Sequence, residues 1–407
     1  MKFIKYIVAI LLVYLYVYSP ALQAMSFGID KLVFIWAVIY LCFSKSARSY
    51  LRLFAIDYKF LLAIAIFSIC IFILNLGKGD LLVYDIFLLI EPIPVACALY
   101  IFIEYKYNIS IRDVILLSSG IAGLISVYLL MNPELANYFK TSVLRVPEIV
   151  TTYFSFRGFG FADGLLNSYP TAQGLILGLI LVGFFKTKKI YYLLAIPIFV
   201  SVIVNARTGV VPMLLAVVLF FVYGTSGLKR WKALMGIGIV VLLFAFIMSN
   251  ITLSSEAEES LSWGKSTLDI ISALFGGEEA ENVDDLTKKM FFFPEDLITW
   301  LIGTGKNVFS YSYNGHTSDI GYIIRLLYGG ILYLILTVGY LFFVCRRVFL
   351  IDKATGWLLL LSVFLFNYKT DFLTIAPCSR LFFLVYAIII CSRFDSKQIR
   401  PAISNIG

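Results

Sequence analysis

Apolar runs long enough to cross about 30 Å of hydrocarbon recur along this chain, near residues 3–24, 26–43, 60–76, 81–103, 114–131, 170–185, 190–204, 208–224, 234–251, 319–344, 355–370 and 377–392. The connections between them are mostly short and basic. In lipid such a run must satisfy its own backbone, so each predicts a helix rather than a strand. The pattern therefore predicts an all-α polytopic integral membrane protein: a single membrane domain over 1–407 with about twelve transmembrane helices.

Charge adds an orientation. Lys2/Lys5, Lys45/Arg48/Arg52, Lys59, Lys106/Arg112, Lys186/Lys188/Lys189, Lys229/Arg230/Lys232, Arg346/Arg347/Lys353 and Arg393/Lys397/Arg400 account for 20 of the 33 basic residues. They fall in one alternating set of short loops, which places both termini in the cytoplasm. Two loops on the opposite side are long. Residues 132–169 hold Lys140, Arg145, Arg157, Asp163 and an aromatic-glycine run from Tyr153 to Phe161. Residues 252–315 hold eleven carboxylates against four lysines. In the second loop Leu261, Leu268, Ile271 and Phe275 recur at helical spacing, and Leu286, Met290 and Leu297 less regularly, predicting one or two amphipathic helices on the membrane surface. Lys2 and Lys5 before an apolar run also resemble a signal peptide, but the run exceeds the usual 7–15 residues of such a core, so a retained first helix is expected.

Composition agrees. Hydrophobic residues make up 61% of the chain and charged ones 14%, against the roughly 25% charged that a soluble surface uses. The six cysteines lie in or beside apolar runs without a CxxC or Cys/His cluster, and read as small hydrophobes. The net charge of +8 comes from the loop lysines and arginines, so no nucleic-acid partner is expected.

Few residues carry candidate chemistry. Gly303-Thr304-Gly305-Lys306 resembles a phosphate loop, but Trp300 stands where its first glycine belongs and Asn307 follows the lysine; a turn is the better reading. Asp85 and Glu91 lie in a span interrupted by Pro92 and Pro94, where an ion relay and pairing with a neighbouring Arg or Tyr both stay open. Arg207 sits in the tight hairpin Asn205-Ala206-Arg207-Thr208-Gly209. Arg325 lies about two turns into its span, Arg380 begins the last one, and Arg145 and Arg157 stand in the first long loop. Arginine at such depth needs a partner, either a carboxylate such as Asp163, Asp319 or Asp371 or a bound anion whose oxygens suit its fork. His316, the only histidine, precedes Asp319. It is either a rim residue closing a loop or a base that takes the proton of a hydroxyl nucleophile. One histidine supplies no metal-ligand set, so chemistry here is expected to be metal-free and without cofactor.

Three stretches carry a family resemblance: Val204-Asn205-Ala206-Arg207-Thr208-Gly209; Leu301-Ile302-Gly303-Thr304-Gly305; and His316-Thr317-Ser318-Asp319-Ile320-Gly321-Tyr322 through Arg325 to Gly329-Gly330. With the large loop before the last three spans, they resemble the Wzy-type O-antigen polymerases, within the superfamily shared with the O-antigen ligases. The spaced Arg-x10-Gly pattern of some polymerase loops is absent from Arg145 and Arg157.

The resemblance implies a glycosyltransferase of the bacterial inner membrane with two periplasmic loops. It would polymerise oligosaccharide repeat units, carried on undecaprenyl pyrophosphate and presented at the outer leaflet, into O-antigen or a similar surface polysaccharide, with membrane lipids and a polysaccharide chain-length regulator as its other partners. Arg207 and Arg325 would stabilise the pyrophosphate leaving group, and His316 would accept the attacking hydroxyl's proton, with inversion at the anomeric carbon. Arg145, Arg157, Arg380, Asp319 and Tyr322 would bind substrate. The alternatives are a ligase transferring finished glycan to lipid A core, and a polytopic transporter or lipid-linked glycan flippase.

Overall fold

Proline and glycine cut the apolar runs into helices shorter than the runs themselves. The first helix stops at Val17, ahead of Ser19, which takes a left-handed φ of 36°, and of Pro20, whose ring disfavours helical geometry in the residue before it. The computed structural model describes residues 2–146, 158–165, 167–185, 188–223, 290–374 and 376–404, with the side chains of Arg207 and residues 397–404 excepted. The expected span at 234–251, the expected amphipathic helix across 261–275 and Leu286 lie outside the described residues, as do Tyr153, Phe156 and Arg157. Of the second expected amphipathic pattern, Met290 lies in non-helical chain ahead of Pro294 and Leu297 only begins a six-residue helix.

The helices in chain order are α1 (Lys2–Val17), α2 (Asp30–Phe43), α3 (Lys45–Leu51), α4 (Ala55–Leu74), α5 (Leu82–Ile90), α6 (Pro92–Ile101), α7 (Ile111–Met131), α8 (Pro133–Tyr138), α9 (Ser168–Leu181), α10 (Ala195–Asn205), α11 (Val210–Tyr223), α12 (Leu297–Ile302), α13 (Gly321–Phe349), α14 (Lys353–Asn367) and α15 (Ala376–Ser404). Apart from isolated bridges of Leu22 with Leu144 and Tyr313 with His316, no strand pairing occurs among the described residues. The regular structure of the described residues is thus all-helical. Among the described residues, five segments are long and apolar enough to cross a membrane: Lys45–Leu74, Leu82–Lys106, Ile111–Met131, Gly321–Phe349 and Ala376–Ser396. Ser168–Leu181, Lys189–Asn205, Val210–Tyr223 and Lys353–Asn367 are apolar but shorter.

The chain folds as two compact units, one of residues 1–35, 102–271 and 376–381 and the other of 36–101, 272–375 and 382–407. In the first, α7 packs against α1 and α10, and α9 packs against α10 and α11. Leu129, Leu130, Ala136, Phe159, Val200 and Val204 form one of its apolar clusters. In the second, α13 packs against α4, α12 and α14. Of the buried positions of α4, Asp57, Leu61, Ile64, Ser68 and Ile71 recur every three or four residues, with Ala65 beside Ile64, the spacing of one helix face. That face runs antiparallel to α13, with Asp57 paired to Arg347 and Ser68 to Tyr328.

Candidate functional site

Helix α13 is broken inside its own span. Gly330 takes φ 76° and ψ −177°, a conformation that only glycine adopts readily, and the helical bonding is interrupted there. A carbonyl released inside a membrane must find another donor. Leu327 O accepts from Thr304 N at 2.7 Å and from the Thr304 hydroxyl at 3.0 Å, and Tyr328 O accepts from Gly305 N at 2.9 Å. The approach is close from both sides: a Cβ on Gly330 would lie 2.3 Å from Leu301 O, and one on Gly303 would lie 2.2 Å from Tyr328 O. Gly303-Thr304-Gly305 therefore brackets the break. The N–H groups of Thr304 and Gly305 are spent on helix carbonyls, which accounts physically for why this glycine loop is no phosphate cradle.

Arg325 lies one turn before the break and is 3% exposed. Its Nε donates to Asp371 Oδ1 and its Nη2 to Asp371 Oδ2, both at 2.9 Å, a bidentate fork. Nη1 donates to the Tyr333 hydroxyl at 2.7 Å and to Asp85 Oδ1 at 3.3 Å. The Tyr333 hydroxyl in turn donates to Asp85 Oδ2 at 2.5 Å. Four of the five guanidinium N–H groups thus serve protein partners. A second, related triad stands elsewhere on α13: Arg347 Nη1 donates to both Asp57 and the Tyr386 hydroxyl, and that hydroxyl donates to Asp57 at 2.8 Å.

The other residues singled out in this unit surround the start of α13. His316 is exposed on a tight turn closed by Tyr313 N to His316 O (2.8 Å) and His316 N to Tyr313 O (2.9 Å). Asn314 and Gly315 supply the positive φ values of 49° and 85° that such a turn requires. The imidazole packs 5.4 Å from the Phe292 ring. Asp319 accepts from Lys369 Nζ at 3.3 Å, and the Tyr322 hydroxyl donates to Phe364 O at 2.9 Å.

In the first unit the Arg207 hairpin is clamped by backbone. A Cβ on Gly174 would fall 1.7 Å from Gly209 O, and one on Gly209 would fall 2.3 Å from Pro170 O. Asn205, 1% exposed, donates from Nδ2 to Phe159 O at 2.9 Å and to Ser201 O at 2.8 Å. Ser126 Oγ donates to the same Phe159 carbonyl at 2.7 Å. The hairpin and the end of the first long loop are thereby tied together. Gly174→Ala is expected to displace the hairpin at a cost of about 1–3 kcal/mol, the usual range for overpacking; an unchanged unfolding midpoint in the purified protein would refute this clamp.

Arg380 and Arg145 also belong to this unit. Arg380 Nη2 donates to Asp30 Oδ2 at 2.6 Å, and Asp30 also accepts from the Ser19 hydroxyl at 2.6 Å. Exposed Arg145 donates from Nη1 to Ser26 O at 3.1 Å. Burial pushes the Asp163 carboxyl above its ordinary value, against the pull of Arg380. The described side chains include no group of three or more His, Cys, Asp or Glu placed to hold a metal ion.

Tyr333, Tyr328 and Ser68 escaped the sequence reading. Their only signal was a polar hydroxyl in an apolar run, and Tyr is common in such runs here, with 26 in the chain. Gly329-Gly330 did mark the break, but adjacent glycines also serve close helix packing. No known family model matches the chain, and no curated protein does.

Proposed function

We propose that this chain is a membrane glycosyltransferase that polymerises oligosaccharide units carried on undecaprenyl pyrophosphate at the outer face of the bacterial inner membrane. About twelve spans, cytoplasmic termini and periplasmic long loops belong to the same reading. The observation that carries it is that all the stretches resembling the polymerase superfamily have a defined structural task. The Arg207 hairpin is locked against α9 through Gly209, and Gly303-Thr304-Gly305 is locked onto Leu327, Tyr328 and Gly330, one turn from Arg325. A backbone packed this closely at the positions that carry the cations suits electrostatic stabilisation of a leaving group.

The reaction joins an acceptor sugar hydroxyl to the anomeric carbon of the donor. The hydroxyl oxygen forms the new bond as the bond to the pyrophosphate oxygen breaks, and the electron pair leaves with pyrophosphate. Arg207 is assigned the developing negative charge and His316 the hydroxyl proton; exposure of His316 suits passing that proton to water. Arg325 is assigned a holding role, because Asp371 and Asp85 already compete for its donors. Arg145, Arg157, Arg380 and Tyr322 remain candidates for contacting the glycan or its anionic carrier.

Arg207→Ala and His316→Ala are each expected to abolish long glycan chains in cells while the protein accumulates normally. Electrophoresis of surface glycans with immunoblotting of the protein reads both. Normal chain-length ladders in both variants would remove these residues from the chemistry. One observation favours a second reading: a discontinuous helix with a buried charge beside it is also how transporters build ion and substrate sites. Cells lacking a flippase would deliver no repeat unit to the outer face, whereas cells lacking a polymerase would leave single units there.

A further inference from the structure

We propose that Asp85 binds a proton, shared with the hydroxyls around it, so that the buried Arg325 centre is electrically neutral. The centre holds one guanidinium and two carboxylates, and the side chains of Arg325, Asp85 and Asp371 are each no more than 3% exposed. With both carboxylates ionised, one negative charge would stand without a counterion in an apolar interior, an arrangement proteins avoid by taking up a proton. The bonding distinguishes the two acids. Asp371 receives both prongs of the guanidinium fork at 2.9 Å, the geometry of an ionised partner. Asp85 receives one longer contact of 3.3 Å from the guanidinium, and its other oxygen faces a hydroxyl, Tyr333 at 2.5 Å.

The surroundings suit a proton on Asp85. The Tyr333 hydroxyl, 2.5 Å from Asp85 Oδ2, can turn to accept from a protonated Asp85. Ser68 of α4 lies 2.6 Å from the Tyr328 hydroxyl, where either oxygen can donate. Arg325, Tyr328 and Tyr333 face Asp85 from α13, Ser68 from α4, and Asp371 from the turn after α14. A metal cation in place of the proton would meet the guanidinium on the same carboxylate. The related triad provides an internal comparison: Arg347 bonds Asp57 and Tyr386 in the same pattern, but with one carboxylate to one guanidinium it balances without a proton. While Asp85 is protonated, an anion nearing the break in α13 meets no net negative charge; once the proton leaves, it does. Asp85 holds this proton whether or not the chain transfers sugars.

Infrared spectroscopy of the purified full-length protein in lipid nanodiscs at neutral pH tests this directly. The parent-minus-Asp85→Asn difference spectrum, from which the lipid esters and other acids cancel, is expected to carry a carboxylic-acid carbonyl band. Asn reproduces the neutral acid, so the unfolding midpoint of Asp85→Asn should stay close to the parent's, while Asp371→Asn falls well below it. Absence of that band from the difference spectrum, or equal damage from both substitutions, would overturn the assignment. A midpoint that rises with added sodium would also overturn it, in favour of a bound cation. If Asp85→Asn does not accumulate, Asp85→Glu keeps the acid and must move the band; an unmoved band is again contrary.

Discussion

Arg325→Ala is expected to remove most of the protein's stability before it reveals anything about chemistry. The substitution leaves Asp371 buried with neither of its charge-assisted bonds and takes a donor from both Asp85 and Tyr333. Breaking a buried ion pair from one side costs about 3–5 kcal/mol, because the surviving charge keeps its desolvation penalty. The thermal unfolding midpoint of purified protein, or the amount recovered from membranes, should fall steeply. Arg325→Lys should rescue only part of the loss, since an ammonium cannot reproduce the bidentate fork. Arg325→Met combined with Asp371→Asn should recover more than Arg325→Met alone, because it removes the stranded charge as well. An Arg325→Ala protein as stable as its parent would show that the centre is not a holding device and would return Arg325 to the list of residues available to an anion.

The second large effect is expected at the helix break. Gly330→Ala places a Cβ at φ 76°, with Leu301 O at 2.3 Å and Leu301 C at 2.4 Å. The backbone conformation alone costs about 1–3 kcal/mol, and the clash is with main chain, which cannot rotate away as a side-chain tip can. Displacing α12 would also strip Leu327 and Tyr328 of their donors. Gly303→Ala meets the same obstacle from the other side, at φ 69° and 2.2 Å from Tyr328 O. Two controls separate the causes. Gly315 has φ 85° but nothing within 4 Å of a Cβ, so Gly315→Ala should show the backbone strain alone. Gly339, helical and equally open, should tolerate alanine or gain about 0.5–1 kcal/mol. Unfolding midpoints of the four variants give the comparison. If Gly330→Ala ranks with Gly339→Ala, the break is not held as described.

Different parts of this fold were legible to different degrees. The helices follow from apolar runs, because lipid leaves the backbone no other partner. Their ends were less legible: Pro20 shortened the first run and Gly183, at φ 78°, lies just beyond the end of α9. Asp371 could be named in advance only with Asp163 and Asp319, as one of three carboxylates open to Arg325 and the other deep arginines, since a buried arginine needs a carboxylate and few exist in the apolar part of the chain. That Asp85 joins them across 240 residues of sequence could not, because nothing local records which span lies beside which. The same holds for Arg380 and Asp30, separated by 350 residues. The break in α13 is a case of ambiguous chemistry. Hydropathy counts apolar atoms and is blind to the carbonyls that Thr304 and Gly305 satisfy, so Gly303-Thr304-Gly305 read as a turn and Gly329-Gly330 as part of a continuous span. Interleaving of the chain between two units leaves no composition shift at all, since every segment is apolar for the same reason.

The central claim, polymerisation of lipid-linked repeat units, meets its most direct test in cells lacking the protein. Their surface glycan should run on a gel as lipid core carrying a single repeat unit, with the long-chain ladder gone and restored by the parent chain but not by Arg207→Ala. An undiminished ladder, or lipid core bearing no repeat unit at all, would contradict it.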